Sequence, residues 1–240
     1  MKNYIPLLIV IFLANVSCSQ NTYTGTIDNW ENKQAEILLP TSDPIIVGKV
    51  SEKGHVQIEL KDEIADAIEA SLQKENERSN INIISTTVAK SFYCDPEFVE
   101  VKNGDINIQK LTGGSTFYAG DLEAQELYGQ FRIASSMAFS DSYFSLGKKD
   151  FVKGYYVNFF YVEEDASVNG TCKSESYTMD MKTIVELIVD YNINLKKGWN
   201  LVKIEVAETY VDGEKIRPLK TVMSTIEAIP QDAKFILFEQ

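Results

Sequence analysis

Histidine is nearly absent from this 240-residue chain, in which His55 is the single example. A Ser/His/Asp triad or a Cys/His pair needs an imidazole as its base, so either site would depend on this one residue. His55 lies on the polar side of the alternating stretch HVQIEL, which is typical of an exposed strand residue. The sequence also lacks a P-loop and the motifs G-x-S-x-G, G-x-G-x-x-G, H-E-x-x-H and C-x-x-C. We therefore expect neither a catalytic motif nor a cofactor.

Basic charge is also scarce. The chain has 23 Lys and Arg against 35 Asp and Glu, which gives a net charge of -12. No extended basic patch is present, and an acidic chain repels phosphate backbones. Nucleic acid is therefore excluded as an expected partner.

A long apolar run is missing as well. The apolar stretch from Tyr4 to Ala14 is shorter than the roughly 20 residues that a membrane-spanning helix needs. It follows Lys2 and precedes small residues, which is the pattern of a secretory signal peptide over residues 1–17. The tetrapeptide NVSC resembles a bacterial lipobox, and this resemblance implies that Cys18 is lipidated and begins the mature protein. Asn15 stands where a lipobox usually has Leu, so ordinary cleavage after Ser17 or Ser19 is the alternative.

Two cysteines remain when Cys18 is set apart. In an oxidising envelope, Cys94 and Cys172 could form a disulfide, or they could be two separate buried thiols. The spacing leaves both readings open, because sequence does not give their distance in the fold.

Most segments alternate between apolar and polar residues with a period of two, which predicts strands. GYYVNFFYV is apolar on both faces and predicts a central strand that is covered on both sides. Asn103-Gly104 predicts a two-residue hairpin turn in which Val101 faces Ile106, and Asp212-Gly213 predicts a second hairpin. The segment ELYGQFRIASSMAFSDSYFSL indicates another strand pair, and MKTIVELIVDY fits either a strand or a helix.

One segment is clearly helical. Ile64, Ile68 and Leu72 recur every four residues and predict an amphipathic helix near residues 62–78. The predicted fold is therefore mainly β, with antiparallel sandwich-type sheets and this one helix. We expect a small β module over 18–60, a helix and connection over 61–80, and a larger antiparallel β region over 81–240, which is either separate from the module or continuous with it.

The N-terminal strands GTI, AEILL, IIVGKV and HVQIEL, with the turn SEKG, form a recognisable pattern. It resembles the small β-sandwich modules at the front of many uncharacterised envelope lipoproteins of Gram-negative bacteria. The resemblance covers about a sixth of the chain and carries no catalytic residues. It implies an envelope location and no particular reaction.

Two sets of residues are candidates for a binding site. Asp165, Ser167 and Asn169, followed by Gly170, match the first half of a calcium loop, although the closing acid is absent at Ser176. The alternative for this segment is a β-turn at Asn169-Gly170. Trp30 and Trp199 could bind a glycan or a protein partner if they are exposed, and they would be packing residues if they are buried.

Three hypotheses for function follow. The first is an exported, lipid-anchored cell-envelope protein that acts as a non-catalytic binding or accessory module, attached to the outer membrane with its periplasmic or surface orientation open. The second is a carboxylate-based envelope hydrolase that acts on glycans through two acids in one cleft. The third is a subunit of an outer-membrane protein assembly. The expected partners are the membrane, through the lipid, and an envelope protein or a glycan.

Overall fold

The computed structural model describes residues 21–31, 33–41, 43–78, 86–95, 97–111 and 116–238. Of these residues 54% are in strands and 14% in helices, so the predicted mainly β class is confirmed. Among the described residues, no helix is both long and apolar enough to cross a membrane.

The first half of the chain alternates short strands with helices. Its elements are β1 Thr22–Thr26, β2 Ala35–Leu39, β3 Ile45–Val50, β4 His55–Glu59, α1 Asp62–Arg78, β5 Thr86–Thr87, α2 Val88–Ser91, β6 Val99–Lys102, β7 Asn107–Lys110 and β8 Phe117–Asp121.

The second half contains the longer strands. Its elements are β9 Glu126–Ala134, α3 Met137–Tyr143, β10 Gly154–Val162, β11 Ala166–Tyr177, β12 Ile184–Leu195, β13 Gly198–Asp212, β14 Lys215–Ile226 and β15 Lys234–Phe238.

These strands form one sheet with the order β1-β4-β3-β2-β8-β9-β10-β13-β14-β12-β11-β6. β15 pairs with β9, while β7 pairs with both β10 and β5. The bridge between Ile27 and Phe235 brings the start of the sheet next to β15. The N-terminal strands β1 to β4 are therefore continuous with the rest of the sheet, through the pairing of β2 with β8.

Two apolar cores lie on opposite faces of β10. The first core takes Tyr155, Val157 and Phe159 from this strand, and the second core takes Tyr156, Phe160 and Val162. All six side chains are buried. The prediction of a central strand covered on both faces is confirmed, because an alternating strand that is apolar on both sides must be packed on both sides.

Helix α1 covers the first core along its narrow apolar stripe. Ala65 and Ile68 are buried there, while Ile64 and Leu72 pack against the edge of the same core. The helix has Asp62 and Glu63 in its first turn and Arg78 in its last turn, which favours its dipole at both ends. The predicted helix is confirmed.

The hairpin predicted at Asn103-Gly104 is wrong. The chain does turn at Asn103, which has a φ of 53°, but β6 pairs with β11 and β7 pairs with β10. Val101 therefore lies opposite Val168 and not opposite Ile106. The start of α2 occupies the space beside the turn, because the Ala89 N–H donates to the Gly104 carbonyl at 2.9 Å.

The second predicted hairpin is formed by β13 and β14. Asp212 pairs with Lys215, so the two loop residues are Gly213 and Glu214, and Gly213 supplies a positive φ of 63°. β14 also pairs with β12 in parallel, which corrects the expectation of purely antiparallel sheets. The ambiguous segment at 181–191 contributes to strand β12.

Of the strand pair predicted from ELYGQFRIASSMAFSDSYFSL, the first strand is confirmed and the second is wrong. The first part of this segment forms β9, but its second part forms helix α3. The helix begins after Ser136, whose hydroxyl accepts a hydrogen bond from the Phe139 N–H at 3.1 Å. A serine in this position satisfies a backbone donor that the first turn of a helix leaves unpaired.

Candidate functional site

The two cysteines after Cys18 are joined. Cys94 and Cys172 form a disulfide with a Cα–Cα distance of 5.8 Å, and it ties the segment after α2 to β11. Both half-cystines pack against the second core. Cys18 lies outside the described residues, so its lipidation stays a prediction.

The segment predicted as a calcium loop does not form a loop. Ser167 and Asn169 lie inside β11, where they pair with β12 and β6. The Asp165 carboxylate accepts hydrogen bonds from the Lys196 ammonium at 2.8 Å and from the Lys197 N–H at 2.9 Å. These contacts hold the pKa of Asp165 below its ordinary value, with the bond to Lys196 as the largest cause. In the described part of the chain, no three His, Cys, Asp or Glu side chains are placed to hold a metal ion.

The alternative of a turn at Asn169-Gly170 is also wrong, because both residues are within β11. Gly170 has a φ of 142°, and a Cβ atom there would lie 2.4 Å from the Phe98 carbonyl oxygen. The glycine therefore allows the backbone before β6 to approach β11 closely.

The two tryptophans are packing residues. Trp30 is 9% exposed and Trp199 is 7% exposed, and both belong to the first core. The Trp199 indole N–H donates to the Lys61 carbonyl at 2.9 Å and so ties β13 to the start of α1. Of the two alternatives for these residues, packing therefore holds at both positions.

An open groove of about 630 Å³ lies around His55 and is lined mainly by residues of β1, β3 and β4. Several of its polar side chains have hydrogen-bond partners. The Thr26 hydroxyl and His55 Nδ1 are 3.2 Å apart, and Gln57 donates to Glu59 at 2.8 Å. His55 is exposed, as the sequence pattern predicts for it.

A second groove, of about 410 Å³, lies between β9, β15 and the end of α3. We call it the Arg132 groove and define it by Arg132, Ser140, Phe144, Leu146, Lys148 and Phe238. Strand β9 contributes Arg132, and β15 pairs with it so that Ile236 lies opposite Arg132. This pairing brings Phe238 next to Gln130, which lies more than 100 positions earlier in the sequence.

Arg132 is half-buried and held between aromatic rings. Its guanidinium carbon lies 4.1 Å from the centroid of Phe144 and 5.1 Å from that of Phe238. Its Nε donates to the Thr116 hydroxyl at 2.9 Å. Burial lowers the pKa of Arg132, although a guanidinium stays charged at neutral pH.

The remaining donors of Arg132 are free within the described residues. No ion pair joins Arg132 to an Asp or Glu in this part of the chain, and neither of its terminal nitrogens donates a hydrogen bond there. A half-buried cation is normally paired, because removing an ion from water is costly. Arg132 instead presents a planar fork that fits the geometry of an oxyanion.

Ser140 contributes an unpaired hydroxyl. Its side chain is completely buried, and its Oγ has no hydrogen-bond partner among the described residues. An unsatisfied buried hydroxyl typically costs about 1–3 kcal/mol, so native proteins rarely keep one without a reason.

The local charge of the groove is the opposite of the charge of the whole chain. Arg132, Lys148 and Lys149 line it, and Asp141 is the single acid among its lining residues. Asp141 forms a salt bridge with Lys149, which leaves Arg132 and Lys148 as excess positive charge in a protein of net charge -12.

The rim of the groove is apolar and conformationally unusual. Leu146 is 92% exposed and has a φ of 54°, and Gly147 follows with a φ of 78°. A bulky residue in the left-handed region is uncommon, and such conformations are found most often near functional sites.

The sequence contains no specific signal for this groove. Arg132 alternates with Phe131 and Ile133 in β9 and shares a strand face with Gln130, which is the ordinary pattern of a polar face. Only the packing of Phe144 and Phe238 around Arg132 distinguishes it. No family model, curated protein or solved structure matches this chain.

Proposed function

We propose that this protein is an exported, lipid-anchored binding module of the cell envelope. The observation that carries the proposal is the disulfide between Cys94 and Cys172. Disulfides persist in oxidising compartments and are rare in the cytosol, so this bond supports export. It also accounts for two of the three cysteines and leaves Cys18 for attachment to lipid.

The sequence before Cys18 supports the same location. The apolar stretch from Tyr4 to Ala14 follows a positive residue and ends in small residues, as a signal peptide does. The outer membrane is the proposed site of attachment, in line with the resemblance of the N-terminal strands to those of envelope lipoproteins.

A binding role is supported by the Arg132 groove, which combines a cation that has no carboxylate partner among the described residues with a buried unpaired hydroxyl. The hydrolase hypothesis gains no comparable support. A general acid needs a raised pKa. In the described part of the chain, four aspartates have a shifted pKa, and all four shifts are downward: Asp43, Asp165, Asp180 and Asp190.

Membrane fractionation of a Cys18→Ser variant tests the anchor. We expect the wild type in the membrane fraction and the variant in the soluble envelope fraction, because it loses the only proposed point of lipid attachment. Ser19→Ala is the matched control and should stay with the membrane. Mass spectrometry of the mature N-terminus should find a lipid on Cys18 of the wild type.

The anchor proposal fails if Cys18→Ser remains membrane-bound, or if the mature chain begins at another residue without lipid. Non-reducing electrophoresis of the soluble variant provides the fold control. The variant should migrate faster before reduction than after it, because the bond between Cys94 and Cys172 keeps the denatured chain compact.

A further inference from the structure

Three regions of the molecule have features that could bind a ligand. In the groove around His55, Thr26 and His55 contact each other and Gln57 bonds to Glu59, and none of the lining residues has a buried unpaired polar atom. A shallow groove of about 320 Å³ between the start of β1 and residues 227–229 contains no buried unpaired group. The Arg132 groove is different, because it contains both an unpaired cation and an unpaired hydroxyl.

We propose that the Arg132 groove binds a carboxylate that is carried on an apolar group. The inference rests on the proposed function as a binding module and names the class of ligand. Arg132 supplies two parallel N–H donors from its terminal nitrogens, which match the two oxygens of a carboxylate. Ser140 supplies a further donor from the floor of the groove.

The aromatic rings explain why arginine and not lysine occupies this position. Phe144 and Phe238 lie close to the guanidinium carbon of Arg132, and planar guanidinium groups stack well on aromatic rings. This contact holds the fork in one orientation before the ligand arrives. A pre-oriented donor pair loses less conformational freedom on binding.

The walls of the groove indicate what carries the carboxylate. Phe144, Phe238 and the exposed Leu146 provide apolar surface beside the cation. Asp141 is neutralised by its salt bridge with Lys149, so Arg132 and Lys148 give the groove a positive charge that attracts an anion. A carboxylate on an apolar body would pair with Arg132 and contact the apolar walls, whereas inorganic phosphate would make no use of those walls.

Titration of the purified full chain with N-acetyl-leucine, followed by NMR signals of the ligand, tests the proposal. The matched probe is N-acetyl-leucinamide, which has the same apolar group but no charge, and inorganic phosphate is the third probe. We expect the acid to bind at least tenfold more tightly than the amide, because charge-assisted hydrogen bonds to Arg132 are lost with the carboxylate.

Three variants locate the binding. Arg132→Lys keeps the positive charge but loses the planar fork, and should weaken binding of the acid about tenfold. Ser140→Ala removes only the unpaired hydroxyl, and should weaken binding several-fold while the melting temperature does not fall. Arg78→Lys is the matched control on α1, outside the groove, and should bind like the wild type.

The proposal is overturned if the acid and the amide bind alike, if neither binds, or if phosphate alone binds. It is also overturned if Arg132→Lys and Ser140→Ala both bind as the wild type does. Should Arg132→Lys fail to fold, Ser140→Ala decides the question, because its hydroxyl makes no hydrogen bond among the described residues. The fractionation of Cys18→Ser does not involve this groove, so the anchor and the ligand proposals fail separately.

Discussion

The disulfide allows a quantitative prediction about stability. We consider the double variant Cys94→Ala/Cys172→Ala, which removes the bond between the segment after α2 and strand β11. The bond links residues that are 78 positions apart. It therefore restricts a large part of the unfolded chain, which is the main way in which a disulfide stabilises a protein.

The magnitude follows from that loop length. In the chain-entropy model, closing a loop of this size removes about 15 cal/mol/K from the unfolded state, which is about 4.5 kcal/mol at 25 °C. Natural domains are stable by roughly 5–15 kcal/mol, so the variant would lose about a third or more of its stability. The Cys94 and Cys172 side chains also pack against the second core, and alanine removes some of those contacts.

Urea unfolding measures this loss. Trp30 and Trp199 are buried, so their fluorescence reports the exposure of the first core on unfolding. We expect the double variant to unfold at a clearly lower urea concentration than the wild type, and the reduced wild type to behave like the variant. Cys18→Ala is the control for replacement of a cysteine outside this bond and should unfold like the wild type.

Equal unfolding midpoints for the double variant and the wild type would refute the entropic reasoning. The bond itself is refuted if a thiol reagent labels both Cys94 and Cys172 in the unreduced, denatured protein. In that case the support for an oxidising compartment is lost as well.

Two further predictions concern the core and the sheet. Phe159→Ala should lower the free energy of unfolding by about 3–5 kcal/mol in urea melts, because Phe159 is fully buried. The centroid of its ring lies 5.0 Å from that of Tyr23 and 5.4 Å from that of Phe117. A loss below about 1 kcal/mol would contradict its place in the core. Lys220 lies 2.7 Å from Asp190, and its hydrogen bond is the largest cause that lowers the pKa of this carboxyl. The pair therefore stabilises the fold at every pH above the ordinary Asp pKa of 3.8. This stabilisation is lost as the pH falls through the lower pKa of the folded state. Asp190→Asn should therefore be less stable than the wild type at pH 7, with a gap that narrows at acidic pH, and a gap that is the same at pH 7 and pH 3 in urea melts would count against this linkage.

Local sequence patterns predicted the secondary structure correctly where that structure depends on a single segment of the chain. The stripe of Ile64, Ile68 and Leu72 identifies α1, because side chains four residues apart share one face of a helix. The apolar residues on both faces of β10 likewise identify a strand that is covered twice.

The turn at Asn103 shows where local patterns fail. A two-residue Asn-Gly turn with matched apolar residues on either side predicts a hairpin, and the chain does reverse there. However, a turn does not fix which strands pair. β6 pairs with β11 and β7 pairs with β10, and these partners come from distant parts of the chain.

The same limit applies to the candidate sites. The calcium-like spacing around Asp165 and the two tryptophans are visible in the sequence, but exposure and backbone conformation decide whether such residues can bind anything. Arg132 looks in the sequence like an ordinary residue on the polar face of a strand, and only the structure shows that β15 brings Phe238 beside it.

The sequence by itself determined the mainly β class, the amphipathic helix, the doubly covered strand and the scarcity of histidine, because these depend on composition and on periods of a few residues. Only the tertiary structure decided which strands are neighbours, which two cysteines meet, and that Arg132, which has no carboxylate partner among the described residues, shares one groove with the unpaired Ser140 hydroxyl. The physical reason is that pairing and burial arise from contacts between residues far apart in the chain, and no local pattern records those distances.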